Sequence, residues 1–462
     1  HQQASFRRAG LVGLGVIAEG CADEMKNQDA LQQLLPVIFR GLADADMTVR
    51  EAACIALGQF AKYLQPDIIS HYQTVLPYLF KSLEDATLKV RMGSCYALDS
   101  FCENLGAEII PYLEPLLKKL VELAQAPKPE IQEIAISAIT SAAAAAEAAL
   151  QPFCKDLLEL MKRFIVPSAE VDLVVRCRAT ECIGHIAKCM GTAFGPVLDE
   201  YMTYVIEGCA LEYNELREYS YGFFSNMAEV FKADFGRYLP TIMPLVLASC
   251  ASSEGITTVQ PETDTPGEGI EADDDDDAGL DLHIRTAFLD EKAAAVYAIG
   301  VFAEHVGQPL FPYLDKVVQC FLELIHYFHE NVRATVVTSV RRIAICLNTH
   351  FPPNAPWQKG VSSNENPLQP QTVQFLTVFV PLILEQIATD DDKQVCNSAF
   401  EDLNLMISTI GPGVVEPYLA AAIALVVKVL QKTTACQSIR EDEETVRDDA
   451  EDDEDDQFLI DA

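Results

Sequence analysis

A short helical pattern returns about every 41 residues along the chain, and this period leaves few folds open. VREAACIALGQFA starts at Val49, VRMGSCYALDSFC at Val90 and IQEIAISAITSAA at Ile131. VRCRATECIGHIA follows at Val175, LREYSYGFFSNMA at Leu216, EKAAAVYAIGVFA at Glu291 and VRATVVTSVRRIA at Val332, while FRRAGLVGLGVIA from Phe6 is the first copy. The second residue of most copies is basic or amide-bearing. Arg50, Arg91 and Gln132 stand 41 apart, as do Arg176 and Arg217, and Lys292 and Arg333. Two gaps are longer: Arg217 to Lys292 spans an acidic segment, and Arg333 to Lys393 spans a Pro/Asn-rich loop.

A period of roughly 40–47 residues is that of HEAT and armadillo repeats. Each copy is preceded by a second amphipathic segment, such as LQQLLPVIFRGLADA, YQTVLPYLFKSLEDA or YLDKVVQCFLELIHYF. Apolar residues recur there at i, i+3, i+4 and i+7, the spacing of one broad helix face. Acidic turns at Asp44 to Asp46 and at Glu84-Asp85 separate the two helices, and Pro66, Pro111, Pro152, Pro196, Pro240 and Pro312 mark entry into each new unit. A lone helix pair cannot bury its apolar face, so such units must stack. The predicted fold is all-α: a HEAT-repeat, right-handed superhelical solenoid (α-α superhelix) of about nine helix pairs, with one concave surface. Strand signals are essentially absent.

Within that frame, residues 1–250 read as HEAT repeats, the first incomplete. Residues 251–283 read as an acidic disordered insertion, 284–350 as repeats, 351–370 as a loop insertion, 371–440 as repeats and 441–462 as an acidic linker. The formal charge is −36. Of this, −11 lies between Ala251 and His283 and −12 between Glu441 and Ala462, so roughly a third belongs to the repeats themselves. Acidic, aromatic-poor segments cannot bury enough surface to order themselves. The overall charge disfavours direct contact with nucleic acid or anionic membrane and favours basic partners. No apolar run reads as long enough to span a bilayer, and the chain opens with His1 inside a helical pattern, as an internal fragment would. The 14 cysteines form no small-loop framework, which suits reduced thiols.

Chemistry by single residues has little footing. His326 and His329, or His185 with Cys189, have the helical spacing of zinc ligands, but no convergent second pair follows. No Gly-rich phosphate loop, nucleophile elbow or Ser/His/Asp arrangement is present, so neither enzyme, metal nor cofactor is expected. The repeated arginines Arg50, Arg91, Arg176, Arg217 and Arg333 read as a ladder to acids of the adjacent repeat.

The residues AGLVGLGVIAEGC (Ala9 to Cys21), VREAACIALGQFAKYLQP (Val49 to Pro66) and CYALDSFCENLG (Cys95 to Gly106) resemble the importin-β (karyopherin-β) family. So do SSEGI (Ser252 to Ile256) before an acidic run, TAFLDEKAAAVYAIG (Thr286 to Gly300), and KVLQKTTACQ (Lys428 to Gln437) before a second acidic run. The resemblance implies the middle of a monomeric nuclear transport receptor about twice as long, shuttling between cytoplasm and nucleus. Basic cargo such as histones or ribosomal proteins would sit on the second helices. Ran-GTP would release it mainly through repeats absent here, and nucleoporin repeats would touch the convex face. The rival is a HEAT-repeat scaffold subunit of the phosphatase-regulatory or chromosome-organising type.

In CYALDSFCENL the stripe Ala97, Leu98, Phe101 and Leu105 is committed to packing, leaving Tyr96, Asp99, Ser100 and Glu103 on the opposite, inner face. The corresponding positions elsewhere are Glu19, Gln59, Glu181, Glu218, Asn226, Glu229, Tyr297 and Glu304. An extended Lys-rich segment needs carboxylates for its ammonium groups, aromatic faces for its stems and amides for its backbone. Asp99 and Glu103 are expected to be exposed and free for such a segment. The acidic run Asp273, Asp274, Asp275, Asp276 and Asp277 either competes with cargo or serves only as a solvated linker.

Overall fold

The computed structural model describes residues 2–252, 256–259, 281–284, 286–355, 357–358 and 366–437. It divides into two units, His1–Val230 and Phe231–Ala462. The first begins with α1 (Ala4–Gly20), α2 (Ala22–Lys26), α3 (Gln28–Leu42) and α4 (Met47–Tyr63), followed by α5 (Tyr72–Ser82), α6 (Leu88–Leu105), α7 (Leu113–Ala124) and α8 (Pro129–Ala146). It continues through α9 (Cys154–Ile165), α10 (Glu170–Met190), α11 (Gly195–Cys209) and α12 (Asn214–Phe231). The second contains α13 (Leu239–Ala251), α14 (Thr286–His305), α15 (Leu314–Leu324), α16 (Glu330–His350), α17 (Pro370–Thr389), α18 (Lys393–Ile410) and α19 (Leu419–Leu430).

The helices form two layers within each unit. The helices that carry the repeated pattern lie side by side, α1–α4–α6–α8–α10 in the first unit and α14–α16–α18 in the second. Their partners α3, α5, α7 and α9, then α13, α15 and α17, each pack on the following pattern helix. This is HEAT-type repeat architecture. The stripe read from the sequence is the core: Ala97, Leu98 and Phe101 are fully buried, as are Leu57, Phe60, Ile136, Ile139 and Ile183. Each such Leu, Ile or Phe contributes about 1.5–3 kcal/mol. Close approach of neighbouring pattern helices depends on small residues: a Cβ at Gly58 would overlap the Tyr96 ring on the next helix.

The repeated basic residue locks each turn. Arg50 Nη1 donates to the carbonyls of Asp44 (2.9 Å) and Ala45 (3.1 Å), closing the turn before its own helix. Its remaining nitrogens grip Asp85 of the next turn at 2.7 and 3.1 Å. Arg7 pairs with Asp44 at 2.6 and 2.8 Å, and Arg333 with Asp390 at 2.8 Å twice. The predicted ladder is therefore present where the next turn supplies an aspartate. Arg91 donates to the carbonyls of Asp85 and Ala86, and Gln132 to that of Ala126. Arg176 reaches the carbonyls of Pro167 (3.0 Å) and Tyr204 (2.8 Å), and Arg217 that of Cys209. All four donate to main-chain oxygens, whatever else Arg217 meets, as does buried Lys292, which donates to Ser249, Cys250 and Ser252. The guanidinium of Arg50 holds the Asp85 carboxyl, and that of Arg7 the Asp44 carboxyl, below their ordinary value.

Two expectations need correction. Inside the acidic segment, β1 (Ile256–Val259) and β2 (Asp281–Ile284) pair antiparallel, Ile256 opposite Ile284 and Val259 opposite Asp281. The run Ile256-Thr257-Thr258-Val259 is wholly β-branched, a strong strand preference that helical periodicity overlooks. Three helical stretches are also long and apolar enough to cross a bilayer by length and composition: Pro129–Ile165, Pro370–Thr389 and Glu416–Gln437. In the first two, the apolar residues belong to the repeat core, Ile136, Ile139 and Met161 in one and Phe379 and Ile383 in the other. The acidic residues beyond 440 lie outside the described residues, as do Asp273 to Asp277.

Candidate cargo-binding face

Burial fixes which side chains of a pattern helix remain for a partner. On α6 the committed stripe points Tyr96, Asp99 and Glu103 away from the core, Tyr96 and Asp99 half-buried and Glu103 exposed. Gln59 on α4 donates to the Tyr96 hydroxyl at 2.6 Å, fixing the ring across the two helices. Glu19, at the end of α1, is exposed. Ser100 is not on this face. Its side chain is buried and its Oγ donates to the Tyr96 carbonyl at 3.3 Å, a back-bond within its own helix.

Asp99 is not an unengaged acid either. It accepts from the hydroxyls of Ser137 (3.0 Å) and Ser141 (2.5 Å), both on α8. Two neutral donors satisfy lone pairs without cancelling the charge, so Asp99 remains an electrostatic attractor held in one rotamer. Glu181 on α10 lies within electrostatic reach of Asp99 and Glu103. Burial first, and then these like charges, push its carboxyl above the ordinary value, while Arg178 pulls it back. The Glu103 carboxyl is also raised, by the partial loss of water its neighbours impose on an otherwise exposed side chain and then by Asp99, while Lys62 pulls it back. Arg178 Nη1 stands 3.5 Å from Glu181 and its Nε 3.7 Å from Glu133 on α8. Its guanidinium lies over the Tyr219 ring of α12, 5.2 Å from the centroid, and donates to the Tyr219 hydroxyl. Asp99, Glu133 and Glu181 thus lie within electrostatic reach of Arg178, and Glu103 adjoins Asp99 and Glu181, so four acids from three adjacent helices share one face.

Further along the same unit the acids are spoken for. Lys188 meets Glu229 at 2.9 Å, both side chains about two-fifths exposed. Glu218 and Asn226 are half-buried on α12, the Asn226 amide seated where a Cβ at Gly184 would come. In the second unit Tyr297 carries the Arg342 guanidinium at 4.7 Å, and Glu304 pairs with Arg342 at 3.2 Å. Arg341 pairs with buried Asp402 at 2.5 Å, and Thr338 donates to the same carboxylate at 2.7 Å. Glu229, Tyr297 and Glu304 are therefore occupied by the chain's own cations.

Sequence reading overlooked Glu133, Ser137, Ser141, Arg178 and Tyr219. One signal was available: Arg178 and Tyr219 stand 41 apart, at one position of the repeat. No group of three or more His, Cys, Asp or Glu that could hold a metal is brought together among the described residues. Cys189, considered with His185, faces Cys154 instead, with the sulfurs 3.8 Å apart.

Comparison with known proteins gives this arrangement a context. Residues 95–230 match the family described as importin subunit beta-1-like, TPR repeats, and residues 5–104 match that described as the vacuolar 14 Fab1-binding region. Importin-4 of Mus musculus is 28% identical over 461 residues, covering 94% of this chain and 42% of that protein. A probable importin subunit beta-4 of Schizosaccharomyces pombe is 28% identical over 375 residues, covering 78% of this chain and 35% of that protein. The chain thus spans well under half the length of these relatives. Among solved structures, Kap121p bound to Pho4p superposes with a TM-score of 0.72 at 22% identity, covering 98% of this chain and 42% of that one. That likeness is one of fold.

Proposed function

We propose that this chain, of the importin-β (karyopherin-β) type, is the cargo-binding stretch of a nuclear transport receptor. Its acidic face on α6, α8 and α10 holds a basic segment of the cargo. The observation that carries the reading is the uneven charge there: Asp99, Glu133 and Glu181 lie within electrostatic reach of Arg178, and Glu103 joins them beside Asp99 and Glu181, so the four carboxylates face two cations, Arg178 and the exposed Lys62 of α4, with Tyr96 alongside. A lysine of an extended peptide would lay its stem on Tyr96 and set its ammonium between Asp99 and Glu103. Asp99 is pre-oriented by Ser137 and Ser141, which lowers the ordering cost on binding. The mechanism makes no covalent bond; many weak charge-assisted contacts add up. Histone and ribosomal-protein segments have the required chemistry. Ran-GTP release, nucleoporin contact and shuttling between cytoplasm and nucleus are assigned to the whole receptor, of which the curated relatives are longer examples.

The test is titration of a labelled Lys-rich peptide into the chain and into Glu103→Lys/Glu181→Lys. We expect affinity to fall by about 2 kcal/mol through lost attraction and added repulsion. Asp99 is left alone because its two hydroxyl partners make it structural as well. Equal affinity in both proteins would remove the cargo site from this face. The match of residues 5–104 to the vacuolar 14 family favours a scaffold reading for α1 to α6. The importin relatives, which align over most of the chain, favour the carrier.

A further inference from the structure

Arg178 has the surroundings a cargo cation would seek: an aromatic face, a hydroxyl acceptor and two carboxylates. Its contacts to Glu181 and Glu133, at 3.5 and 3.7 Å, are longer than charge-assisted hydrogen bonds. The two carboxylates therefore keep acceptor sites open for a second donor. Its side chain is 29% exposed, and those of Glu133 and Glu181 are 32% and 31% exposed, so solvent and a ligand reach all three. The second unit repeats the motif, with Arg342 on Tyr297 beside Glu304.

We propose that Arg178 is an internal competitor, filling the cation subsite made by Tyr219, Glu133 and Glu181 and thereby setting affinity and selectivity on the acidic face. The proposal rests on the reading of that face as a cargo site. A cargo lysine that seeks Tyr219 must displace a guanidinium, whose planar fork suits both ring and hydroxyl better than a compact ammonium does. Lysines are thereby steered to the Tyr96–Asp99–Glu103 position, and only an arginine exchanges with Arg178 on even terms.

The probe is a labelled Lys-rich peptide, titrated into the whole chain and into Arg178→Gln. Affinity is expected to rise about tenfold and to fall more steeply with salt. Arg163→Gln, an exposed site on α9, makes the same change in net charge and should leave affinity within twofold. Tyr219→Phe keeps the ring but removes the hydroxyl acceptor. It should raise affinity about threefold, and it provides the test if Arg178→Gln does not fold. A peptide that binds the unaltered chain, is lost on Glu103→Lys and is indifferent to both Arg178→Gln and Tyr219→Phe overturns the competitor role alone. A peptide that binds neither the unaltered chain nor Arg178→Gln overturns the cargo face as well.

Discussion

The pattern helices of the two units use the same side-chain types to opposite effect. On α16 of the second unit each arginine has its own acid: Arg333 has Asp390 at 2.8 Å, Arg341 has Asp402 at 2.5 Å and Arg342 has Glu304 at 3.2 Å. In the first, Arg178 serves both Glu133 and Glu181 and lies within reach of Asp99, while Glu103 feels Lys62 of α4, so four carboxylates share two cations. The arrangement in the second unit is closed, since a new cation would have to break an existing pair. The arrangement in the first is open. The presence of acids on a face thus says less about binding than the local ratio of acids to cations.

The largest expected effect lies in breaking the closed arrangement. Asp402→Ala leaves Arg341 and Thr338 without their buried acceptor and should cost about 3 kcal/mol of stability, read from urea unfolding. Glu181→Ala removes a carboxyl that its surroundings already disfavour as an anion. It should change stability by no more than about 0.5 kcal/mol, or improve it. Similar losses in the two variants would erase the distinction.

Binding should separate the two faces next. Glu304→Lys in the second unit is expected to alter affinity for the Lys-rich peptide less than threefold, against the roughly thirtyfold loss expected for Glu103→Lys/Glu181→Lys. The reverse ranking would move the cargo site to the second unit.

Acidity sharpens the contrast. The Glu103 and Glu181 carboxyls are raised above 4.5, so they favour folding when protonated, and that contribution is lost as pH rises through their raised values. A bound ammonium favours the charged forms, so peptide binding should release protons and weaken as pH falls through the same range. Asp44 and Asp85 shift the other way. Their stabilising effect is present above 3.8 and is lost as pH falls through their lowered values. Calorimetry in buffers of different ionisation enthalpy should detect the proton release. Glu181→Gln should reduce it, whereas Asp85→Asn should leave it unchanged and flatten the acid limb of the stability curve.

The smallest effect is expected at Lys188–Glu229, whose side chains are both more than a third exposed. Glu229→Gln should shift stability by no more than about 0.5 kcal/mol, with a loss that shrinks in salt.

Much of this molecule is legible because a repeat is a local object. The 41-residue spacing, the Phe101 stripe and the Arg50 ladder each depend on a unit and its nearest neighbour, and all three are read from residue order alone. Ser100 shows the limit: one step of helical rotation moves it from the outer face into the core, where its hydroxyl bonds back to Tyr96. Whether an acid remains available is decided between helices. Asp99 meets Ser137 and Ser141 from α8, Glu229 meets Lys188 from α10, and Glu304 meets Arg342 from α16. The sequence by itself determined the repeat, its core and the acidic character of the pattern helices, because apolar spacing along one helix is enough to specify a stripe. Only the tertiary structure decided which carboxylates stay open. Pairing depends on rotations and offsets between neighbouring helices of a few ångströms, and a period of 41 residues does not specify them.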